Sequence, residues 1–178
     1  IFSDAMQEVV FGPYWNVPTS IKVEEIRPYL SEEAPWFLGG GGWNTSVFRR
    51  HGLRIRYGGQ EVDPGTIDWN HVDIRNLEIV QPPGPDNVLG RVKFVFPNKH
   101  DVYMHDTTQK HLFANTVRAE SHGCMRVQNP ERLAEIILGR DKGWSPARVE
   151  STFGAGDDYH VALDQEIPVY ITYFTLRV

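Results

Sequence analysis

The clearest pattern of apolar and polar positions runs from Arg91, where Val92, Phe94 and Phe96 alternate with polar neighbours until Pro97. Strict alternation over such a span predicts a half-buried strand, and proline closes it. Asn98 to Asp101 then reads as a turn, with Val102-Tyr103-Met104 opening a second strand that ends at His105. Glu8 to Phe11 predicts a strand stopped by Gly12-Pro13. Leu53 to Tyr57 predicts another, entering a hairpin at Gly58-Gly59. Helical spacing is rarer. Ile21, Val23 and Ile26 after Thr19-Ser20 predict a short helix ending before Pro28. Asn129-Pro130 opens the clearest one, with Leu133, Ile136 and Ile137 as its stripe and Gly139 as its stop. Ser145-Pro146 and Gly154 bracket a shorter one, and Ile167 to Val178 reads as strand. Trp69 to Val80 shows no clear period, Gln81 to Pro85 breaks regular structure, and Gly39 to Gly42 reads as a loop. The expected class is mainly β with short helices.

Composition changes this picture little. The chain has 178 residues, 40% of them hydrophobic and 12% aromatic, as one ordinary globular domain would. A net charge of −5 without a basic stripe argues against nucleic acid as a partner. No apolar run approaches the roughly 18 residues that a membrane-spanning helix needs. The chain opens without an initiator methionine or a leader and stops while still strand-like, so an excised part of something longer is expected.

Candidate chemistry concentrates between Val102 and Val127. That stretch holds the one cysteine, Cys124, directly after Ser121-His122-Gly123, and three of the seven histidines, His105, His111 and His122. A thiol becomes a useful nucleophile beside an imidazole base, and pairing of that kind lowers its pKa. Both His105 and His122 are candidates for the base. His105 is favoured, because a separate strand end lets it approach the sulfur squarely, with His122 supporting. The N–H groups of Gly123 and Cys124 are candidate oxyanion donors. Asp106 could orient the imidazole, though a backbone carbonyl is at least as plausible for that role. Arg126 could grip a carboxylate or simply be solvated. A core-filling cysteine is the bland alternative, made harder by the polar turn around it. Zinc held by these histidines and Cys124 is another, but no compact ligand signature is present. His51, His71, His100 and His160 read as surface or structural.

Tyr103-x-His105-Asp106, with residues 106–120 separating His105 from Ser121-His122-Gly123-Cys124-Met125-Arg126, resembles the signature of the YkuD-type L,D-transpeptidase catalytic domain. Phe11 to Pro18, Gln81 to Gly84, Asn87 to Phe94 and Pro168 to Tyr170 resemble its larger YcbB-like subgroup. The resemblance implies a β-sandwich-like catalytic fold over residues 1–178. It also implies a capping insertion at about 15–80, a core with the Cys/His site at 81–178, and loss of flanking strands at both ends. It implies a peptidoglycan L,D-transpeptidase without cofactor or metal, exported to the periplasm or cell envelope. Cys124 would attack the third stem-peptide residue at its L-centre carbonyl, release D-alanine with His105 as base and then acid, and pass the acyl group to a neighbouring stem's side-chain amine. His122, Gly123 and Tyr103 would help hold the thiol and the oxyanion. Tyr103, Ser121, Asp106 and Arg126 would line the substrate site. Carbapenems would acylate Cys124. The same residues would serve a carboxypeptidase or a cell-wall amide hydrolase, and a non-catalytic peptidoglycan-binding module could retain the groove.

Overall fold

The computed structural model describes residues 2–32, 42–118, 121, 123–154 and 158–172. Strand β1 (Phe2–Phe11) leads to the short β2 (Trp15–Asn16) and to α1 (Thr19–Ile21), which runs on as a π turn to Ile26 and a 3-10 turn to Tyr29. Next come β3 (Ser31–Glu32), β4 (Trp43–Asn44), α2 (Ser46–Arg50), β5 (Arg54–Tyr57), β6 (Gln60–Val62) and β7 (Glu78–Gln81). The remainder holds β8 (Val92–Val95), β9 (Met104–His105), β10 (Met125–Arg126), α3 (Pro130–Lys142), α4 (Pro146–Thr152) and β11 (Tyr159–Ile171). The chain forms two compact units, Ile1–Pro13 with Pro83–Val178, and Tyr14–Pro82.

In the first unit five strands lie in the order β10-β9-β8-β1-β11. All pairs are antiparallel except β9 and β10, which run parallel. Register follows from the alternation. Val9 faces Phe94 and Phe11 faces Val92 across β1 and β8, so their side chains share one face. That face packs on Ala134, Ile137 and Leu138 of α3 and Val149 of α4 to form the core. Met104 sits opposite Phe94 and therefore belongs to this face too, which leaves His105 on the other. Pro168 falls within β11, where the sheet ends and a missing N–H is tolerated.

Helix α3 outruns its expected stop. Gly139 lies inside it, and the helix ends where Gly143 takes the left-handed conformation at φ 65° and donates to the Leu138 carbonyl. A glycine ends a helix by adopting that conformation and not by its mere presence. Ile136, expected in the stripe, is exposed, and Leu138 takes its place. In α4 the Ser145 hydroxyl accepts from the Arg148 N–H, as an N-cap should.

The second unit is built on an antiparallel sheet ordered β2-β7-β5-β6. Gly58 and Gly59, at φ 56° and 80°, close the expected hairpin, whose tight turn requires positive φ at both positions. Phe48 stacks on Trp69 at 5.7 Å between ring centroids, with Ile26, Ile55 and Ile79 around them. Lys22 is buried here and donates to the Leu77 carbonyl at 2.7 Å, and burial lowers its pKa. The helix expected to stop before Pro28 instead carries it into the 3-10 turn Arg27–Tyr29, at a first-turn position that needs no N–H. β7 lies in the stretch without clear period. Of the glycine run, residues 39–41 lie outside the described residues. Residues 173–178 of the expected last strand do so too, while β11 starts earlier, at Tyr159.

Phe94 is fully buried between sheet and helices. Phe94→Ala is expected to destabilise the first unit by roughly 3–5 kcal/mol, the usual cost of an emptied aromatic site. Tyr170→Ala, at an exposed position, should stay within about 0.5 kcal/mol. Urea denaturation of both variants checks this.

Candidate active site

The two halves of the sequence motif meet at the parallel pair β9 and β10. Met125 lies beside Met104 and Arg126 beside His105. The Met125 N–H donates to the Tyr103 carbonyl at 3.0 Å, and the Val127 N–H to the His105 carbonyl at 2.8 Å. Since lateral neighbours in a ladder share a face, Met104 and Met125 point toward the core. Tyr103, His105, Cys124 and Arg126 project from the opposite side. The Tyr103 and His105 rings meet edge-on at 5.8 Å between centroids.

Cys124 is half-buried. Its sulfur lies beside Tyr103 and donates to the Asp101 carbonyl oxygen at 3.9 Å. Burial pushes the thiol pKa up, while the neighbouring Tyr103 pulls it part of the way back. Tyr103 is in turn raised above the usual phenol range, by burial first and by the neighbouring Cys124 second. His105 is 5% exposed. Its Nδ1 lies 2.5 Å from the Asp106 carbonyl oxygen, which can only accept, so Nδ1 carries the proton and Nε2 keeps a lone pair. Burial lowers its pKa to about 4, and the Arg126 guanidinium pushes the same way. The sequence suggested a thiolate made by imidazole pairing. Both groups shift in the opposite sense: burial favours the protonated thiol and the neutral imidazole.

Ser121 and Gly123 form the turn before the sulfur. The Ser121 hydroxyl donates to the Cys124 carbonyl at 2.7 Å and accepts from the Gly123 N–H at 3.3 Å. One of the two expected oxyanion donors is therefore engaged in the turn. Gly123 has φ 132°, a conformation that suits glycine, and a side chain there would be strained. His122 lies outside the described residues.

Asp106, expected at the substrate site, is buried and bonded within the fold. The residue is 4% exposed, and its carboxylate accepts from the backbone N–H groups of Arg91 at 2.9 Å and Thr107 at 2.7 Å, and from Lys110 Nζ at 2.5 Å. Gly90 must be glycine beside it, because a Cβ there would come within 2.3 Å of Asp106 Oδ2.

A cavity of about 390 Å³ adjoins the sulfur. Leu112 and Phe113 from the 3-10 turn Lys110–Ala114, Arg118, and the Ser121, Gly123 to Arg126 segment form its wall. Arg126 Nη1 is buried with no hydrogen-bond partner among the described residues. Leu112, Phe113 and Arg118 drew no attention in the sequence, where nothing but their nearness to His105 marks them. Elsewhere His71 bonds to Asp68 at 2.7 Å, and His160 lies between Glu8 and Asp158.

A mainly β domain that presents a thiol and an imidazole from neighbouring strand ends, with the thiol and a guanidinium lining a cavity, suits chemistry on an acyl group. The chain belongs to the L,D-transpeptidase catalytic domain family, YkuD, which matches residues 1–165. It is 29% identical over 170 residues to a Haemophilus influenzae protein that carries a provisional L,D-transpeptidase name. That match covers 96% of the chain but 32% of the relative, so the chain spans about a third of that protein's length. No helix among the described residues is long and apolar enough to cross a membrane.

The neutral imidazole has a consequence for stability. An unfolded histidine titrates near 6.5, whereas folded His105 titrates near 4. Between those values only the unfolded chain binds this proton. The stability His105 contributes is therefore complete above about pH 6.5 and falls as pH drops toward 4, by at most about 1.4 kcal/mol per pH unit. Urea denaturation of the parent and His105→Gln over this range is expected to show a steeper loss in the parent; parallel losses would exclude a neutral buried His105.

Proposed function

We propose that this chain is the catalytic part of a peptidoglycan L,D-transpeptidase that works by thioester formation on Cys124, in the periplasm or cell envelope. The observation that carries this reading is the shared face of Tyr103, His105, Cys124 and Arg126, of which Cys124 and Arg126 line the cavity, in a family that acts on peptidoglycan stem peptides.

The protonated resting thiol sets the order of events. His105 Nε2 takes the thiol proton as the sulfur attacks the L-centre carbonyl of the third stem residue, so that base catalysis is coupled to bond formation. The negative charge moves onto the carbonyl oxygen, and the Cys124 N–H, the expected donor that the turn does not engage, stabilises it. The tetrahedral intermediate collapses, the C–N bond to D-alanine breaks, and the imidazolium returns the proton to the departing amine. A side-chain amine of a neighbouring stem then attacks the thioester and gives its proton to His105. Sulfur leaves and is reprotonated, and a 3–3 cross-link remains. Tyr103 holds the thiol while it waits. Arg126, which lines the cavity, supplies a guanidinium for a substrate carboxylate.

Intact mass after mixing with a carbapenem tests the nucleophile: one adduct per chain is expected on the parent and none on Cys124→Ala. His105→Ala should slow adduct formation by about 10²–10⁴-fold, the usual worth of a positioned base, and His122→Ala should do less. Equal losses would reverse the assignment of the base. With tetrapeptide stems, a 3–3 linked product supports transfer to an amine, whereas tripeptide alone would mean transfer to water.

A further inference from the structure

The loop after His105 is tied down by a side chain that the proposed reaction leaves unused. Lys110 opens the 3-10 turn Lys110–Ala114 with its side chain 44% exposed. Its Nζ lies 2.5 Å from Asp106 Oδ1 and 3.2 Å from the Gln128 carbonyl oxygen. These acceptors leave different strands. Asp106 directly follows β9, and Gln128 lies just beyond β10. The backbone ladder between the strands runs as far as the bond from Val127 N–H to the His105 carbonyl. The ammonium adds a further tie one residue later on each side.

What it ties is next to the imidazole. Asp106 gives its carbonyl to His105 Nδ1–H, its N–H to the Val92 carbonyl, and its carboxylate to Arg91, Thr107 and Lys110. A carboxylate this buried calls for a counter-charge, and Lys110 supplies it. An ordinary surface ion pair would be worth little. Here one partner is enclosed, and the cation also reaches a second strand. An ammonium, with three donors around one nitrogen, can serve two oxygens that do not lie in one plane.

We propose that Lys110 is a positioning residue for the reaction. By joining the Asp106 carboxylate to the Gln128 carbonyl, it sets the spacing between the strand that carries His105 and the strand that follows Cys124. It also holds the Asp106 carbonyl where it fixes the imidazole tautomer. This rests on the roles given above to Cys124 and His105.

Lys110→Met removes both bonds and keeps the aliphatic stem; Lys110→Arg keeps charge and reach. In chains carrying ¹⁵N-labelled histidine, the parent is expected to show one Nδ1–H tautomer for His105, and Lys110→Met a mixture. Carbapenem acylation of Lys110→Met should fall about a hundredfold, the scale set by a misplacement of roughly 1 Å. Lys110→Arg should recover most of it. If Lys110→Met does not fold, Lys110→Gln, which keeps one bond without the charge, carries the same two readouts. A folded variant with parental tautomer and acylation rate, whatever its melting temperature, overturns the proposal. Should the parent itself form no adduct, the thioester reading fails, and the tautomer measurement still decides whether Lys110 positions the imidazole.

Discussion

Two backbone hydrogen bonds, from Met125 to Tyr103 and from Val127 to His105, join the halves of the site. They make a parallel ladder of only two residues per strand, at one end of the sheet. Parallel pairing needs a long connection, and here residues 106–124 supply it together with the cavity wall. Because the pairing is parallel and in step, it assigns faces without ambiguity. Shifting it by one position would turn Cys124 and Arg126 toward the core and the methionines outward. The apolar side chains Met104 and Met125, packed against the core, resist that shift. Thus the same alternation that fills the interior also aims the reactive groups away from it.

Burial then decides the electrical state of those groups. Taken out of water, a thiol resists losing its proton and an imidazole resists gaining one. His105 and Cys124 both follow that rule, and the Arg126 guanidinium reinforces it at the imidazole. A short contact from Nδ1–H to the Asp106 carbonyl keeps the unprotonated nitrogen available. The chain therefore holds a neutral acid and a neutral base on one face.

Much of this was legible beforehand, for physical reasons. Val92 and Phe94 announce their strand because alternation is a local property, and His105 at the end of the next one follows from its neighbours. Gly58-Gly59 announces a turn because positive φ is nearly a glycine monopoly. The Cys124 motif is likewise local. What failed depends on distant partners. Gly139 looks like a helix stop until the register of α3 is known, and Glu78–Gln81 becomes a strand only through β5 and β2. Asp106 could orient the imidazole because it adjoins His105, and the resemblance put it at the substrate site; its carboxylate turns inward to Arg91, a partner fixed only by the fold. The pKa directions were beyond reach for the same reason, since burial is a tertiary fact. Gly90 has no local mark at all, and the nearness of Asp106 alone explains it.

The protonated state of Cys124 bears on how the chain endures oxidants. Peroxides and disulfides react with the thiolate and hardly with the thiol. A sulfur that keeps its proton until a carbonyl arrives is slow to take the first step, to sulfenic acid, from which sulfinic acid follows. With one cysteine in the sequence, no neighbouring thiol within the chain could rescue it by forming a disulfide. Keeping the proton is thus a form of chemical storage as well as a feature of catalysis.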